Sequence, residues 1–98
     1  MGKEERTLLD KMSHVIVHSY IYYVLNSNVI SDSRFDTLSK EVATLIKEYP
    51  ESASEHRDYK LFKDFDGSTG YSLVGDDPYW LDRASIVMWS YEQDNKKS

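Results

Sequence analysis

The feature that most constrains the fold is a short polar break, Asn26-Ser27-Asn28, between two segments whose apolar residues recur with helical spacing. Asn is common where a helix ends in the left-handed region of backbone conformation. Because the link between the two segments is short, the flanking helices are expected to lie antiparallel as an αα-hairpin. The sequence therefore predicts a helical hairpin around which the rest of the chain is organised.

The first helix is predicted over residues 3–25, ahead of the break. This segment contains no Pro and no Gly, and its apolar pattern begins at Leu8. From Val15 to Leu25 the apolar character extends nearly all round the helix, which is typical of a buried one. The run VIVHSYIYYVL also has strand propensity, but the amphipathic pattern starts several turns earlier and favours a helix.

The second helix has sequence signals at both ends. Ser31 is a good N-cap, and Asp32 falls in the first turn, where the helix dipole favours a carboxylate. The apolar stripe that follows has three- and four-residue spacing and consists of Phe35, Leu38, Val42, Leu45 and Tyr49. Pro50 is expected to end the helix, because the residue before a proline is biased away from helical conformation.

The segment after Pro50 has weaker signals. Residues 51–57 are polar and predict a connector, and residues 58–65 predict a short third helix. The residues of that helix expected to face inward are Tyr59, Phe62 and Phe65. Glycines at both ends of 67–70 predict a flexible turn, and residues 71–74 an extended segment or loop.

A last helix is predicted near the end of the chain. Asp77 is expected to be its N-cap, with Pro78 at the first helical position. The helix should run to about residue 92, followed by a frayed tail. The fold class is therefore predicted as all-α, in a single domain over residues 1–98. Residues 1–50 would form the hairpin, and residues 51–98 a helical extension without an assigned role.

Composition excludes several classes of function. The 98-residue chain has a net charge of −5, and a diffuse acidic surface does not attract a phosphate backbone, so direct nucleic-acid binding is not expected. It has no cysteine, which excludes disulfides, thiolate metal sites and cysteine nucleophiles. The first residues lack the apolar core of a signal peptide, and no apolar run is long enough to span a bilayer. A cytoplasmic location is expected, with no metal and no membrane contact.

Two tyrosines and two aspartates lie on opposite sides of the break. Tyr22 and Tyr23 precede it, and Asp32 and Asp36 share one face of the second helix. A tyrosine face attracts a cationic ring, and carboxylates accept hydrogen bonds from hydroxyls. The hairpin could thus bind a cationic ring with hydroxyls attached. Alternatively, Asp32 only complements the helix dipole and Asp36 only faces solvent.

The stretch HSYIYYVLNSNVISDSRFDTLSKEVATLIKEYPE resembles the amino-terminal Ia segment of bacterial NAD-dependent DNA ligases. That family typically reads H-x-Y-x-Y-(Y/H)-V-L-D, then (S/P)-D-x-x-Y-D-x-L, then a helix ending in (Y/H)-P-E. The matching residues are His18, Tyr20, Tyr22, Tyr23, Val24, Leu25, Ser31, Asp32, Asp36, Leu38, Tyr49, Pro50 and Glu51. The resemblance covers about a third of the chain.

The resemblance implies a site for the nicotinamide mononucleotide (NMN) half of NAD. Tyr22 would stack on the nicotinamide, and Tyr23 would line the same pocket. Asp32 and Asp36 would hold ribose or carboxamide groups, and His18 would have a pocket or scaffold role.

Two positions depart from the family pattern. Phe35 occupies a pocket position where the family usually has Tyr, so one phenolic hydroxyl is lost. Asn26 replaces the usual Asp. Both changes weaken the polar half of the site.

Catalysis is not expected. Ligase adenylation needs a lysine in K-x-D-G, whereas this chain reads Lys63-Asp64-Phe65-Asp66-Gly67, with the lysine one residue too early. The resemblance therefore implies a small, non-catalytic module that binds NMN or NAD, serving a split ligase in trans or sequestering a nucleotide. Small stand-alone proteins of this sort occur in bacteriophages, which implies a viral origin and the host cytoplasm as its location. An NAD-cleaving enzyme is a weaker alternative, because nothing supplies a polarised water.

A second hypothesis is that the hairpin is only a scaffold and the protein binds another protein, either a host protein or a ligase. The candidate contacts are aromatic residues of the last helix, Tyr79, Trp80 and Trp89, because exposed Trp and Tyr often anchor interfaces. Alternatively, Trp80 fills the core against the hairpin. The oligomeric state is not predicted.

Overall fold

All regular secondary structure in the described part of the chain is helical. The computed structural model describes residues 3–27, 29–63, 65–67 and 71–96. Its elements are α1 (Lys3–Tyr23), α2 (Asp32–Glu48), α3 (Pro50–Ala53), the 3₁₀ helices η1 (Tyr59–Phe62) and η2 (Tyr71–Leu73), and α4 (Pro78–Lys96). The predicted all-α fold class is confirmed.

The turn between α1 and α2 forms as its asparagines indicate. Asn26 has a positive φ of 52°, in the left-handed region. The Ser27 amide donates to the Ile21 carbonyl at 2.9 Å, which satisfies one of the carbonyls left open at the end of α1. α1 ends at Tyr23, two residues before the predicted Leu25. Asn28, the third residue of the predicted break, lies outside the described residues.

Both predicted N-caps are present. The Arg34 amide donates to Ser31 Oγ at 3.2 Å at the start of α2, and the Tyr79 amide donates to Asp77 Oδ1 at 2.9 Å at the start of α4. Each side-chain oxygen satisfies an amide that has no partner within its helix. α4 continues to Lys96, beyond the predicted end near residue 92.

The segment between α2 and α4 differs from the prediction. Residues 51–57 are not simply a connector, because Pro50 both follows the end of α2 and begins α3, where proline suits the first position of a helix. The predicted third α-helix over 58–65 is only the 3₁₀ helix η1, and the 71–74 segment contains η2. Such short pieces are typical connectors. Asp64 and residues 68–70 lie outside the described residues.

The predicted inward face of the third helix is partly wrong. Phe62 is buried in the core and Phe65 packs against the core half-buried, but Tyr59 is 36% exposed. In a 3₁₀ helix side chains three residues apart lie on the same side of the helix. The core covers only Phe62 of this pair and leaves Tyr59 exposed.

The core is built around α1, which contacts α2, α3, α4 and η2. The buried apolar side chains are Leu8, Met12, Val15, Ile16, Val17, Tyr20, Ile21, Val42, Ala53, Phe62, Leu73, Trp80 and Ala84. More than half of them come from α1, which explains why its apolar character extends nearly all round. No helix within the described residues has the length and apolarity required to cross a membrane.

A polar network joins α4 to the segment between α3 and η1. The Trp80 indole donates to Asp58 Oδ2 at 2.7 Å, and the Asp58 amide donates to His56 Nδ1 at 3.0 Å. Because His56 Nδ1 accepts, its proton lies on Nε2, which donates to Ser13 Oγ of α1 at 2.9 Å. The network therefore ties three parts of the chain together through buried or half-buried groups.

Candidate functional site

The hairpin brings Tyr22 of α1 against Phe35 of α2. Their ring centroids are 6.0 Å apart in an edge-to-face arrangement, and the Tyr22 and Tyr23 centroids are 4.9 Å apart, also edge to face. Tyr22 remains 41% exposed. A tyrosine ring that has edge-to-face contacts with its neighbours and remains partly exposed can still stack with the ring of a ligand.

A shallow depression lies beside this aromatic pair. Its cavity volume is about 0 Å³, too small for even a water molecule, whereas small-molecule pockets typically have roughly 300–1,000 Å³. The residues lining it are His18, Ile21, Tyr22, Val29, Ile30 and Phe35. A nicotinamide-sized ring would therefore have to lie over the depression, against the exposed Tyr22 ring, rather than inside it.

His18 lies one helical turn before Tyr22 and is half-buried. Burial first, and the nearby His14 second, lower the pKa of His18 below its ordinary value of 6.5. The imidazole is therefore neutral at pH 7. A neutral ring does not repel a cationic ligand, and it still provides one hydrogen-bond donor and one acceptor.

Asp32 and Asp36 are both exposed on the first two turns of α2, on either side of Phe35 in sequence. Asp36 forms an exposed ion pair with Lys40, with Nζ and Oδ2 at 2.9 Å. Exposed pairs of this kind contribute little to stability, so the carboxylate remains available for exchange with a ligand. Neither aspartate lines the depression beside Tyr22, so their ligand role stays a prediction.

The predicted protein-contact residues on α4 separate into two groups. Trp89 is 60% exposed, and Tyr79 is also exposed. Trp80 is only 1% exposed, so its prediction as a contact residue is corrected. It fills the core, and its indole N–H is already bound to Asp58. Ile86, which was not predicted, adds to the exposed apolar surface of α4.

A second depression, which the sequence did not predict, lies between α2 and η1. It has a volume of about 940 Å³, and four lysines line it, namely Lys40, Lys47, Lys60 and Lys63. We call it the lysine groove. In sequence the lysines are scattered among acidic residues, and only two of them, Lys40 and Lys47, lie on α2. Their shared helix face is the one sequence signal that points to the groove.

Among the described residues, no group of three or more His, Asp or Glu side chains is arranged to hold a metal ion.

The fold and the hairpin define a small helical protein that presents an exposed tyrosine ring beside a half-buried histidine. A family described as "DNA ligase-like, N-terminal NAD+-binding domain" matches residues 3–56, more than half of the chain. The chain belongs to this family. The match contains α1, α2 and α3 and ends at His56, before η1 and α4.

Three bacterial DNA ligases are similar to part of the chain. The ligase of Coprothermobacter proteolyticus is 40% identical over 50 residues, which is 50% of this chain and 8% of that protein. The ligase of Bacteroides fragilis is 49% identical over 39 residues, covering 40% of this chain and 6% of the ligase. The ligase of Petrotoga mobilis is 53% identical over 34 residues, which is 35% of this chain and 5% of that protein.

The aligned segment thus spans less than a tenth of the length of these relatives. No solved structure matches the chain.

Proposed function

We propose that this protein binds a nicotinamide nucleotide, NMN or NAD, through the hairpin and performs no chemistry on it. The observation that carries the proposal is the exposed Tyr22 ring, held edge-on by Phe35 beside the neutral His18, within the segment that matches the NAD+-binding family. The cationic nicotinamide ring would lie on the Tyr22 face. Asp32 and Asp36 would accept hydrogen bonds from ribose hydroxyls or the carboxamide.

We propose that the protein catalyses no adenylation because of the sequence around Lys63. Lys63 and Asp66 are separated by two residues rather than by the one in K-x-D-G, so the ligase-type nucleophile has no equivalent there. The role would then be accessory: the module would serve a ligase in trans or sequester a nucleotide.

We propose the cytoplasm, including that of a host if the protein is viral, as its location, because NAD is an intracellular cofactor and the chain has no cysteine to oxidise.

Calorimetric titration with NMN and with NAD tests this proposal. Asp32→Ala should weaken binding by about 1–3 kcal/mol, the range for losing a charged hydrogen-bond partner. Tyr22→Ala should weaken it by about 0.5–2 kcal/mol, the range of a cation–π contact. Tyr91→Ala and Asp82→Ala are matched controls, because both residues are exposed on α4, outside the hairpin. Absence of heat up to millimolar ligand would overturn the nucleotide function.

A second candidate function is a protein contact through α4. Trp89, Ile86 and Tyr79 are exposed large side chains on this helix, and aromatic residues are frequent interface anchors. The partner class proposed is a host protein or a ligase. Sedimentation with a purified NAD-dependent DNA ligase would test it, and Trp89→Ala should abolish the complex whereas Tyr22→Ala should not.

A further inference from the structure

The lysine groove concentrates positive charge on a protein whose net charge is −5. Four lysines and one carboxylate, Asp66, belong to the described residues that line it. All four lysines are exposed, and Lys40 forms the ion pair with Asp36. Lys47, Lys60 and Lys63 form no ion pair with any residue that the structure describes. Positive charges gathered on a concave surface attract an anion, and the groove concentrates their electric field.

The groove continues the face of α2 that carries the two aspartates. Asp32, Asp36 and Lys40 are spaced four residues apart, and Lys47 follows seven residues later, so all four side chains share one helix face. The face is acidic in its first two turns and basic from Lys40 onward. A ligand with a cationic, hydroxyl-bearing end and an anionic end would match this order of charges.

The groove also contains aromatic surface. Tyr59 lines it and is exposed, Phe65 lines it half-buried, and the buried Phe62 lies beneath them. Aromatic side chains beside cationic ones are the combination that receives a base together with its phosphates. Inorganic phosphate alone would not use the aromatic surface.

We propose that the lysine groove binds the adenosine diphosphate half of NAD, so that the preferred ligand of this chain is the whole dinucleotide rather than NMN. The inference rests on the proposed function of the hairpin. Lys40 would meet the diphosphate first, exchanging its ion pair with Asp36 and leaving that carboxylate free for the ribose. Lys47 and Lys60, from opposite walls, would complete the anion site, and the adenine would lie on Tyr59.

The distances along α2 are consistent with this arrangement. Lys47 lies about 16 Å beyond Asp36 along the helix axis, at a rise of about 1.5 Å per residue. An extended dinucleotide, with two nucleosides joined through a diphosphate, covers such a span. NMN ends at its own phosphate and reaches no further than the neighbourhood of Lys40. The far half of the groove therefore distinguishes the two ligands.

The test compares the affinities of NAD, NMN and ADP for the wild type and for the double variant Lys47→Gln/Lys60→Gln. The wild type should bind NAD at least tenfold more tightly than NMN. The double variant should bind NAD no better than NMN, with the NMN affinity unchanged, and should lose any binding of ADP. Arg6→Gln/Arg83→Gln is the matched control, because it removes the same charge from exposed residues outside the groove.

Three results would overturn the assignment of the groove. They are equal affinities of the wild type for NAD and NMN, a similar loss of both affinities in the lysine variant, and an equal loss of NAD binding in the arginine control. In each case the wild type would still bind NMN, and the function proposed for the hairpin would stand. Failure of both NMN and NAD to bind the wild type would overturn the two proposals together.

Discussion

The Trp80 indole N–H is bound to the Asp58 carboxylate at 2.7 Å, and the Trp80 ring lies nearly parallel to His56, with centroids 6.2 Å apart. His56 is the last residue of the family match, and Trp80 lies well beyond it. The guanidinium of Arg57 extends the same cluster, with Nε 3.1 Å from Asp58 Oδ2 and its carbon 4.2 Å from the centroid of Tyr79. The two parts of the sequence therefore share one set of interactions.

Trp80→Phe should destabilise the protein substantially. It leaves the half-buried Asp58 carboxylate without its indole donor and opens space in the core. Together these effects should lower the free energy of unfolding by about 2–4 kcal/mol, measured by urea denaturation. Trp89→Phe is the control and should change it by less than about 0.5 kcal/mol, because Trp89 is exposed. Similar losses in both variants would contradict the role given to the indole N–H.

Stability should decrease below about pH 6.5. Burial lowers the pKa of His56 below its ordinary value of 6.5, although Asp58 partly opposes the shift. The unfolded chain then binds a proton at a higher pH than the folded one does. The contribution of His56 is thus complete above pH 6.5 and is lost as the pH falls from there to the pKa of the folded state.

Urea denaturation between about pH 7.5 and 5.5 measures this dependence. His56→Gln should reduce the slope of stability against pH, and His18→Gln/His56→Gln should reduce it further, because the pKa of His18 is also lowered. A slope that is unchanged in both variants would assign the pH dependence to other groups.

Gly67→Ala should also be destabilising. Gly67 has a φ of 86°, and a Cβ there would lie 3.0 Å from both the Ser39 carbonyl oxygen and the Lys40 Cα. Because both neighbours are backbone atoms of α2, they cannot move aside. The expected loss is about 1–3 kcal/mol in the same denaturation assay. Gly75→Ala is the matched control, since its nearest neighbour, the Tyr20 hydroxyl, would be at an ordinary 3.6 Å.

Phe35→Tyr should strengthen nucleotide binding. The substitution restores the phenolic hydroxyl usual in the family, on a ring that lines the depression beside Tyr22. One added hydrogen bond should contribute about 0.5–1.5 kcal/mol to the affinity for NMN, measured by calorimetry. Phe65→Tyr, which adds the same group outside the hairpin, should leave NMN binding unchanged. Equal gains in the two variants would indicate a nonspecific effect.

Binding of nicotinamide riboside should weaken at low pH. This ligand carries the cationic ring without a phosphate that titrates. Protonation of His18 as the pH falls through its lowered pKa would place a positive charge beside that ring. His18→Gln should remove this pH dependence while keeping a polar side chain. Riboside affinity that falls equally in wild type and variant would place the responsible group elsewhere.

Much of the fold could be predicted from local signals. The spacing of apolar residues in α1 and α2, the N-caps Ser31 and Asp77, and the left-handed Asn26 are determined by neighbouring residues in sequence. The 3₁₀ helices and α3 are too short to have a periodicity of their own. Their form follows from packing against α1 and α2, which only the tertiary structure provides.

The candidate site could be predicted only in part. The contact between Tyr22 and Phe35 follows from the short turn that joins their helices. The pairing of Asp36 with Lys40 was not predicted, although a spacing of four residues on a helix is one at which opposite charges meet. The lysine groove was not predicted because it is assembled from two segments whose relative position depends on the core.

The interaction of Trp80 with Asp58 has a consequence for how this chain can be divided. A fragment that stopped at residue 56, where the sequence match ends, would lack Trp80, Ala84 and Leu73, all buried in the shared core. The wide apolar face of α1 would then be exposed to water, and we expect such a fragment to aggregate. The residue at which the family match ends is therefore not a residue at which the chain can be truncated without losing its core.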